Sequence, residues 1–170
     1  MLFSSLWKIL DTAFEGCYNS YCVARNCPVR ISTKGHYGLR AMTALARAYG
    51  QGPVALAEVA GTEGLPMGYL EQLIAPLRRA GLVVSTRGTR GGYRLAMEPS
   101  AVTVSDVLRV LEGPVALAEC ASEEVSSGCC ERELGCPSRE IWQRTRESIL
   151  QVWDSTTLAD LCRESSSVAS

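Results

Sequence analysis

Eight cysteines are the residues of this chain best suited to chemistry, and most of them fall in two groups. Cys17, Cys22 and Cys27 lie near the amino terminus, and a second group lies between Cys120 and Cys136. Thiolates are soft ligands for iron–sulfur clusters and zinc, and thiols can also be oxidised reversibly. In a reducing compartment, such grouping favours metal or redox chemistry over disulfides.

The second group contains Cys120, Cys129, Cys130 and Cys136. Nine residues separate Cys120 from Cys130, and five separate Cys130 from Cys136. The two-residue spacing of zinc knuckles is absent, which disfavours a structural zinc site. Cys129 could take the place of Cys130, and the sequence does not choose between them.

Other kinds of chemistry have little support in the sequence. The chain has one histidine, no His-Asp-Ser set and no phosphate-cradling glycine loop followed by lysine, so we do not expect an enzyme. No apolar run approaches the roughly eighteen residues of a transmembrane helix. Lys8 and Asp11 interrupt the apolar start, so we expect no signal peptide and a cytoplasmic protein without a membrane partner.

The elements that must position these residues are clearest in residues 65–95. Apolar residues at helical spacing predict a short amphipathic helix that ends at Gly81. Two extended runs, Val83–Thr86 and Tyr93–Ala96, follow around a turn rich in Arg and Gly. A helix followed directly by a basic hairpin is typical of the recognition helix and wing of a winged helix-turn-helix.

Periodicity elsewhere predicts further helices. They are expected from Ser32 or Thr33 to Tyr49, at Val54–Glu63, from a cap at Thr103 or Ser105 to Glu112, from Ser138 to about Asp154, and at Leu158–Cys162 after a cap at Ser155 or Thr156. Tyr49 should join the buried stripe of the first of these helices. Pro66 should begin the recognition helix, and Pro76 should kink it or end it early. The fold class is therefore mainly α with a small β wing: a winged helix-turn-helix plus a long C-terminal dimerisation helix.

Four regions are expected along the chain. Residues 29–98 form the winged helix-turn-helix DNA-binding domain, and residues 99–162 form a linker helix, the cysteine loop and the dimerisation helix. Residues 1–28 are an extension, either disordered or upstream of the true start. Residues 163–170 form a disordered, serine-rich tail.

The charges divide in the same way. Residues 30–94 hold nine basic and three acidic side chains, whereas residues 95–170 hold six basic and thirteen acidic ones. A basic part joined to an acidic part is typical of a DNA-binding module fused to a sensing or pairing module. The alternative is a chance distribution of solvated faces.

Recognition helices present their first residues to base edges. The candidates here are Met67, Gly68, Tyr69, Glu71 and Gln72. Gln can bond an adenine edge in two places, Glu can accept from cytosine, and Tyr can reach a phosphate or a methyl group.

Basic residues around this helix could complete the DNA contacts. Arg87 and Arg90 lie in the wing, where an arginine that enters a narrow minor groove reads its negative potential. Lys34 and Arg40 could hold phosphates. The alternative is an ordinary glycine-rich hairpin with solvated arginines.

The long helix has a broad apolar side. It consists of Ile141, Trp142, Thr145, Ile149, Val152 and Trp153. Pairing with the same helix of a second copy would cover it, and the alternative is packing on its own winged domain. A homodimer would also place two recognition helices on a palindromic double-stranded DNA operator.

Four blocks of sequence together resemble the bacterial iron–sulfur cluster regulators of the IscR and NsrR type. They are Arg30-Ile-Ser-Thr-Lys-Gly-His-Tyr-Gly-Leu-Arg40, Gly68-Tyr-Leu-Glu-Gln72, Leu77-Arg-Arg-Ala-Gly-Leu82 and Arg87-Gly-Thr-Arg-Gly-Gly-Tyr-Arg-Leu95. The resemblance runs from about residue 30 to 161 and implies a homodimeric transcription factor, such as a repressor. It also implies that Tyr69, Glu71 and Gln72 face the major groove and Arg87 the minor groove.

The same resemblance implies a ligand set. The family loop has three cysteines, the last two separated by five residues, which matches Cys120, Cys130 and Cys136. Regulators of the IscR type add a histidine three residues later, where this chain has Arg139, which cannot coordinate iron. Sensors of the NsrR type take a ligand from the partner's first helix, where this chain has His36. The implied cofactor is a two-iron two-sulfur or four-iron four-sulfur cluster held by these cysteines and by His36 of a second copy.

Several alternatives stay open at this point. His36 could instead contact phosphate beside Lys34. A cluster-free regulator of the same fold could sense thiol oxidation or a partner protein, and a small electron-transfer protein is a third reading. Because family chains begin just before Arg30, Val29 lies where an initiator would stand, and we expect residues 1–28 to precede the true start. The rival expectation is that their three cysteines form an extra metal-binding arm.

Overall fold

A computed structural model of the chain describes residues 31–88, 91–124, 130 and 135–167. The helices in this part are α1 (Thr33–Arg47), α2 (Leu56–Glu63), α3 (Met67–Arg79), α4 (Val104–Glu112), α5 (Arg139–Ser155) and α6 (Leu158–Ser167). Strands β1 (Val83–Thr86) and β2 (Gly92–Leu95) form one antiparallel pair. Single 3-10 turns occupy Pro99–Ala101 and Glu119–Ala121. This architecture confirms the predicted fold class, a mainly helical chain with a small β wing.

Helix α1 is the central element of the winged domain. The Ser32 side chain caps it by accepting from the N–H groups of Lys34 and Gly35, which satisfies two donors that no helical carbonyl can reach. Its inner face carries Ala41 and Met42, both fully buried. The prediction that Tyr49 joins this face was wrong: the helix ends at Arg47, and Tyr49 is 45% exposed.

The segment before α2 is extended rather than helical. Val54 was predicted within a helix, but its N–H and carbonyl pair with those of Tyr93 at 2.9 and 2.8 Å. This single bridge gives β2 a partner on the side away from β1. The helix therefore begins at Leu56, and the bridge to Val54 attaches the outer edge of β2 to the segment that leads into α2.

Helix α3 follows the tight turn at Gly64, whose φ of 63° is left-handed. Pro66 is the residue before the first helical position, and the predicted apolar face is buried at Leu70, Leu73, Ile74 and Leu77. The early break predicted at Pro76 was wrong. The helix continues to Arg79, since the N–H of Ala80 still donates to the Pro76 carbonyl at 2.9 Å.

Helix α4 packs closely against the start of α1. A capping box of Thr103 and Asp106 begins it, which confirms the first of the two predicted caps. Its buried side chains meet α1 where Gly35 and Gly38 lie. A Cβ on Gly38 would come within 3.4 Å of the Leu111 Cγ, and closer still to one of its methyl groups, so any larger residue would force the Leu111 side chain to shift.

Helices α5 and α6 complete the described part. Ser138 precedes α5 but makes no capping hydrogen bond with its side chain. The cap of α6 is Thr157, not Ser155 or Thr156. The Thr157 hydroxyl accepts from the Asp160 N–H, and the Asp160 carboxylate accepts from the Thr157 N–H. The helix runs to Ser167, beyond its predicted end at Cys162.

Several predictions fall outside the described residues. These concern the extension 1–28 with its three cysteines, Arg90 in the wing and Cys129 in the loop. Among the helices that are described, none combines the length and apolar character needed to cross a bilayer.

Candidate nucleic-acid interface and cysteine loop

The first turns of α3 carry most of the predicted base-reading residues on an exposed surface. Met67, Gly68, Glu71 and Gln72 are exposed, because the helical repeat turns the leucines of α3 towards the core and leaves these positions outside. Tyr69 differs, since its ring is only half-exposed. The structure thus brings four of the five candidates together at one surface.

The ring of Tyr69 is held by a neighbour from α1. The rings of Tyr37 and Tyr69 pack edge to face, with their centroids 6.0 Å apart and their planes at 86°. Such tilted aromatic pairs are favourable beyond their area of contact. The ring of His36 lies 5.5 Å from that of Tyr37, and the His36 side chain is exposed.

Arg40 was predicted to hold a phosphate; its guanidinium bonds Glu63, and its side chain remains 39% exposed. The Nε donates to the Glu63 carboxylate at 3.0 Å, and an Nη donates to the Glu63 main-chain carbonyl at 2.5 Å. Arg47 also reaches this carboxylate, at 3.5 Å. The sequence did not signal these contacts, because Glu63 lies 23 and 16 residues from its partners and no local pattern links them.

The described part of the wing carries an exposed arginine next to its turn. Arg87 is exposed next to Gly88, whose φ of 120° turns the chain, and the N–H of Gly91 closes the turn on the Gly88 carbonyl at 2.8 Å. Arg78 of α3 leans towards β1, with its Nη 3.4 Å from the Ser85 hydroxyl. The end of the recognition helix therefore contacts the first strand of the wing, and both elements are flanked by exposed arginines.

The amino terminus of α1 is joined to the end of α4. The Glu112 carboxylate accepts from the Ser32 hydroxyl at 2.5 Å and from the Gly35 N–H at 2.8 Å. A carboxylate at this position also complements the positive end of the helix dipole. Lys34 and His36 are exposed on the same helical turn. Sequence reasoning missed this role of Glu112, because the sequence marks that residue only as the end of a helix.

Cys120 lies in the 3-10 turn at the start of the cysteine loop and is half-buried. The next residue, Ala121, is fully buried. Arg146 of α5 donates from one Nη to the carbonyls of Ala121 and Ser122, at 3.2 and 2.8 Å. The first part of the loop is therefore fixed against the long helix.

An ion-pair network fixes the same part of the loop to α4. Arg109 donates to Glu123 at 2.9 Å and to Asp154 at 3.3 Å, and the N–H of Val115 also donates to Glu123. The Arg109 hydrogen bond holds the pKa of Glu123 below its usual value, against the opposing effect of partial burial. The pairing therefore contributes above the unfolded-state pKa of roughly 4.3 and is lost as the pH falls through the lowered folded-state pKa. Because the side chains are partly exposed, solvent limits its contribution to about 1 kcal/mol.

Two further described cysteines, Cys130 and Cys136, belong to the loop. Cys130 is exposed, and the half-buried Cys136 places its Sγ 3.2 Å from the Ser138 hydroxyl. The thiols have the right donor chemistry for iron. Within the part of the chain that is described, however, no three His, Cys, Asp or Glu side chains converge as a metal site. As placed, the described residues of one chain therefore do not assemble a cluster site. A ligand role for His36 concerns two chains and stays a prediction.

Helix α5 keeps its apolar side uncovered. None of its 17 residues is buried. Ile141 is 50% exposed, Trp142 41% and Val152 60%, while Thr145, Ile149 and Trp153 are half-buried. In the described part, packing within the single chain therefore covers this apolar side only in part.

Comparisons with known proteins agree with this arrangement. The family model Rrf2, described as an iron-dependent transcriptional regulator, matches residues 31–164. The chain is 47% identical over 133 residues to the HTH-type transcriptional regulator CymR of Bacillus subtilis. The matched region covers 78% of this chain and 89% of that protein.

Solved structures give the same result. That of CymR (YrzC), "the global cysteine regulator of B. subtilis", aligns over 81% of this chain and 98% of that one, with a TM-score of 0.67 and 47% identity. The structure of T. potens IscR aligns over 81% and 88%, with a TM-score of 0.66 and 43% identity. The oxidised form of Staphylococcus aureus CymR aligns over 78% and 95%, with a TM-score of 0.62 and 38% identity.

Proposed function

The chain belongs to the Rrf2 family of transcriptional regulators, and from this premise we propose that it binds a palindromic operator as a homodimer. The first turns of α3 enter the major groove, and the wing lies over the adjacent minor groove. The observation that carries the proposal is the exposed surface formed by Met67, Gly68, Glu71, Gln72 and Arg87. None of these side chains is needed for the core, and together they offer donors, acceptors and a cation to DNA.

The roles within this surface follow from side-chain chemistry. Gln72 bonds an adenine edge, Glu71 accepts from a cytosine amino group, and Gly68 lets the helix approach closely. Arg87 and Arg90 read the minor groove of the flanking sequence through its negative potential. Lys34 neutralises a phosphate, which fixes the register of the protein without reading bases.

Replacing Gln72 with alanine tests the base-reading role. We expect a loss of about 1–3 kcal/mol in operator affinity and relaxed preference at one base position. Replacing Lys34 with glutamine should instead weaken binding to all sequences and reduce the salt-dependence slope by about one. Fluorescence anisotropy with a duplex that the wild-type protein enriches from a random library measures both effects. Equal losses on enriched and scrambled duplexes for Gln72→Ala would contradict its assignment.

Dimerisation is the second part of the proposal. The apolar side of α5, formed by Ile141, Trp142, Thr145, Ile149, Val152 and Trp153, pairs with the same helix of a second copy. Support comes from a 17-residue helix with no buried residue, a state that soluble helices avoid by burying an apolar face. A twofold axis through this pair places the two α3 helices on two half-sites.

The loop thiols set the DNA affinity of this dimer. The contacts of Arg109, Glu123 and Arg146 join the start of the loop to α4 and α5. Helix α4 ends in Glu112, which bonds the first turn of α1, so a displacement of the loop reaches the DNA-binding domain. The route is contiguous, and its coupling strength is for experiment to decide.

Two chemistries could act on these thiols. An iron–sulfur cluster would draw on Cys120, Cys130, Cys136 and His36 of a second copy, with Cys129 as substitute for Cys130, and would supply a redox-sensitive charge beside the dimer helix. Thiol oxidation without a cluster needs the thiols and an external two-electron oxidant such as diamide, which takes up the two electrons and two protons released when two thiols form a disulfide. The exposed position of Cys130 and the oxidised form known for one CymR favour the second chemistry for this chain.

Substitution of a loop cysteine tests this sensor. In wild-type protein purified without oxygen, we expect oxidation by diamide to change operator affinity about tenfold or more. Cys136→Ser should abolish the change. Cys162→Ser serves as the matched control, because Cys162 lies outside the loop, where its thiol faces the Thr43 carbonyl at 3.8 Å.

The same anaerobic sample decides between the two chemistries. Visible absorption with matching iron and sulfide would assign the cluster, and its loss in His36→Ala would assign the fourth ligand. A colourless protein whose affinity still responds to diamide would assign thiol oxidation. A wild-type affinity that is the same in both states would contradict a sensing role for the loop.

A further inference from the structure

We propose that Arg40 and Tyr37 are specificity-determining positioning residues, which set the orientation of the recognition helix without touching DNA. The inference rests on the proposed DNA-binding function and adds to it two residues of α1. Arg40 carries a charge that could bind phosphate and its side chain is 39% exposed, yet its Nε and one of its Nη atoms donate to Glu63.

The first support is the contact of Arg40 with the end of α2. Glu63 is the last residue of that helix, so its carbonyl has no partner within the helix. Arg40 supplies the missing donor and also binds the Glu63 carboxylate, in the forked geometry that guanidinium allows and ammonium does not. Gly64 and the turn into α3 follow directly. The guanidinium therefore joins α1 to the turn that aims the recognition helix.

The second support is the stacking of side chains that leads to Tyr69. The Arg40 guanidinium carbon lies 5.6 Å from the centroid of the Tyr37 ring, within the range of a cation–π contact. The Tyr37 ring in turn meets Tyr69 in the first turn of α3. One arginine thus acts on α3 by two routes, through the turn and through Tyr69. Both routes bear on the residues that read bases.

Phosphate binding and positioning make opposite predictions for a lysine at this site. A phosphate contact needs only a positive charge, so Arg40→Lys would keep both affinity and salt dependence. Positioning needs the planar fork, so Arg40→Lys would behave like Arg40→Gln. Loss of positioning lowers affinity for the recognised sequence alone, because base contacts depend on the orientation of α3 and most phosphate contacts do not.

The experiment measures anisotropy on the duplex enriched by wild-type protein and on its scrambled counterpart, over a series of salt concentrations. For Arg40→Lys and Arg40→Gln we expect the ratio of the two affinities to fall about tenfold, with the slope of log affinity against log salt unchanged for the lysine variant. Tyr37→Leu, which changes no charge, should lower the ratio similarly. Thermal unfolding checks that each variant is folded.

Arg47→Gln is the matched control. Arg47 lies on the same helix and binds the same Glu63 carboxylate, whereas the contacts with the Glu63 carbonyl and the Tyr37 ring are made by Arg40. For Arg47→Gln, the ratio of affinities for the enriched and scrambled duplexes should stay near that of the wild type. Full rescue by Arg40→Lys, or a uniform loss on both duplexes for Arg40→Gln with a slope reduced by about one, would overturn the proposal in favour of phosphate binding. Wild-type protein that enriches no sequence would instead refute the proposed function.

Discussion

Replacing Gly92 with alanine should destabilise the winged domain by about 2–4 kcal/mol. A Cβ at this position would lie 2.6 Å from the Val54 carbonyl carbon and 3.0 Å from the Ala55 nitrogen, and closer still to the Val54 oxygen. These are backbone atoms, so no side-chain rotation relieves the overlap. The new methyl must displace β2 from Val54 and break the pair of hydrogen bonds between Val54 and Tyr93. Denaturation by guanidinium, followed by circular dichroism, measures the loss.

Gly61→Ala is the control for this prediction. Gly61 lies inside α2, where a Cβ would meet no atom within 4 Å, and its φ is not positive. Alanine there should stabilise the protein by about 0.5–1 kcal/mol, because it restricts the unfolded chain and favours helix. If Gly92→Ala left the unfolding midpoint unchanged, the bridge between Val54 and β2 would not be an anchor of the wing.

Local patterns in the sequence were sufficient for the winged domain. The cap at Ser32, the cap at Thr103 and the buried face of α3 each depend on residues close to one another along the chain, so they can be read from spacing alone. The wing followed from two extended runs and a glycine-rich turn. The recognition surface could then be predicted, since exposed positions alternate with buried ones on a known helical repeat.

Long-range contacts could not be predicted in this way. Glu112 binds Ser32 across 80 residues, and Arg40 binds Glu63 across 23. Each contact is set by how helices pack, which in turn depends on small residues such as Gly38. A phosphate contact was predicted for Arg40 because charge and helix position are visible in a sequence, whereas the direction of a guanidinium is not.

Introducing a charge on the apolar side of α5 should have the largest effect on DNA binding. Trp142 is 41% exposed in the single chain, and a homodimer would bury it. In Trp142→Glu, a carboxylate would be desolvated at the centre of that contact without a partner, which disfavours pairing strongly. We expect a monomer at micromolar concentration. Operator affinity should fall by roughly a hundredfold or more, because the two half-site contacts are no longer linked.

Gln151→Glu distinguishes the loss of pairing from a simple effect of charge. Gln151 is exposed on α5. Because successive residues of an α-helix are roughly 100° apart, Gln151 lies about 140° around the helix axis from the centre of the apolar side. This variant adds the same charge to the same helix and should remain a dimer with wild-type affinity. Light scattering after gel filtration reports the mass of each variant, and anisotropy reports its binding. A dimeric Trp142→Glu with undiminished affinity would mean that the copies pair through another surface, and that the half-site spacing is not set by α5.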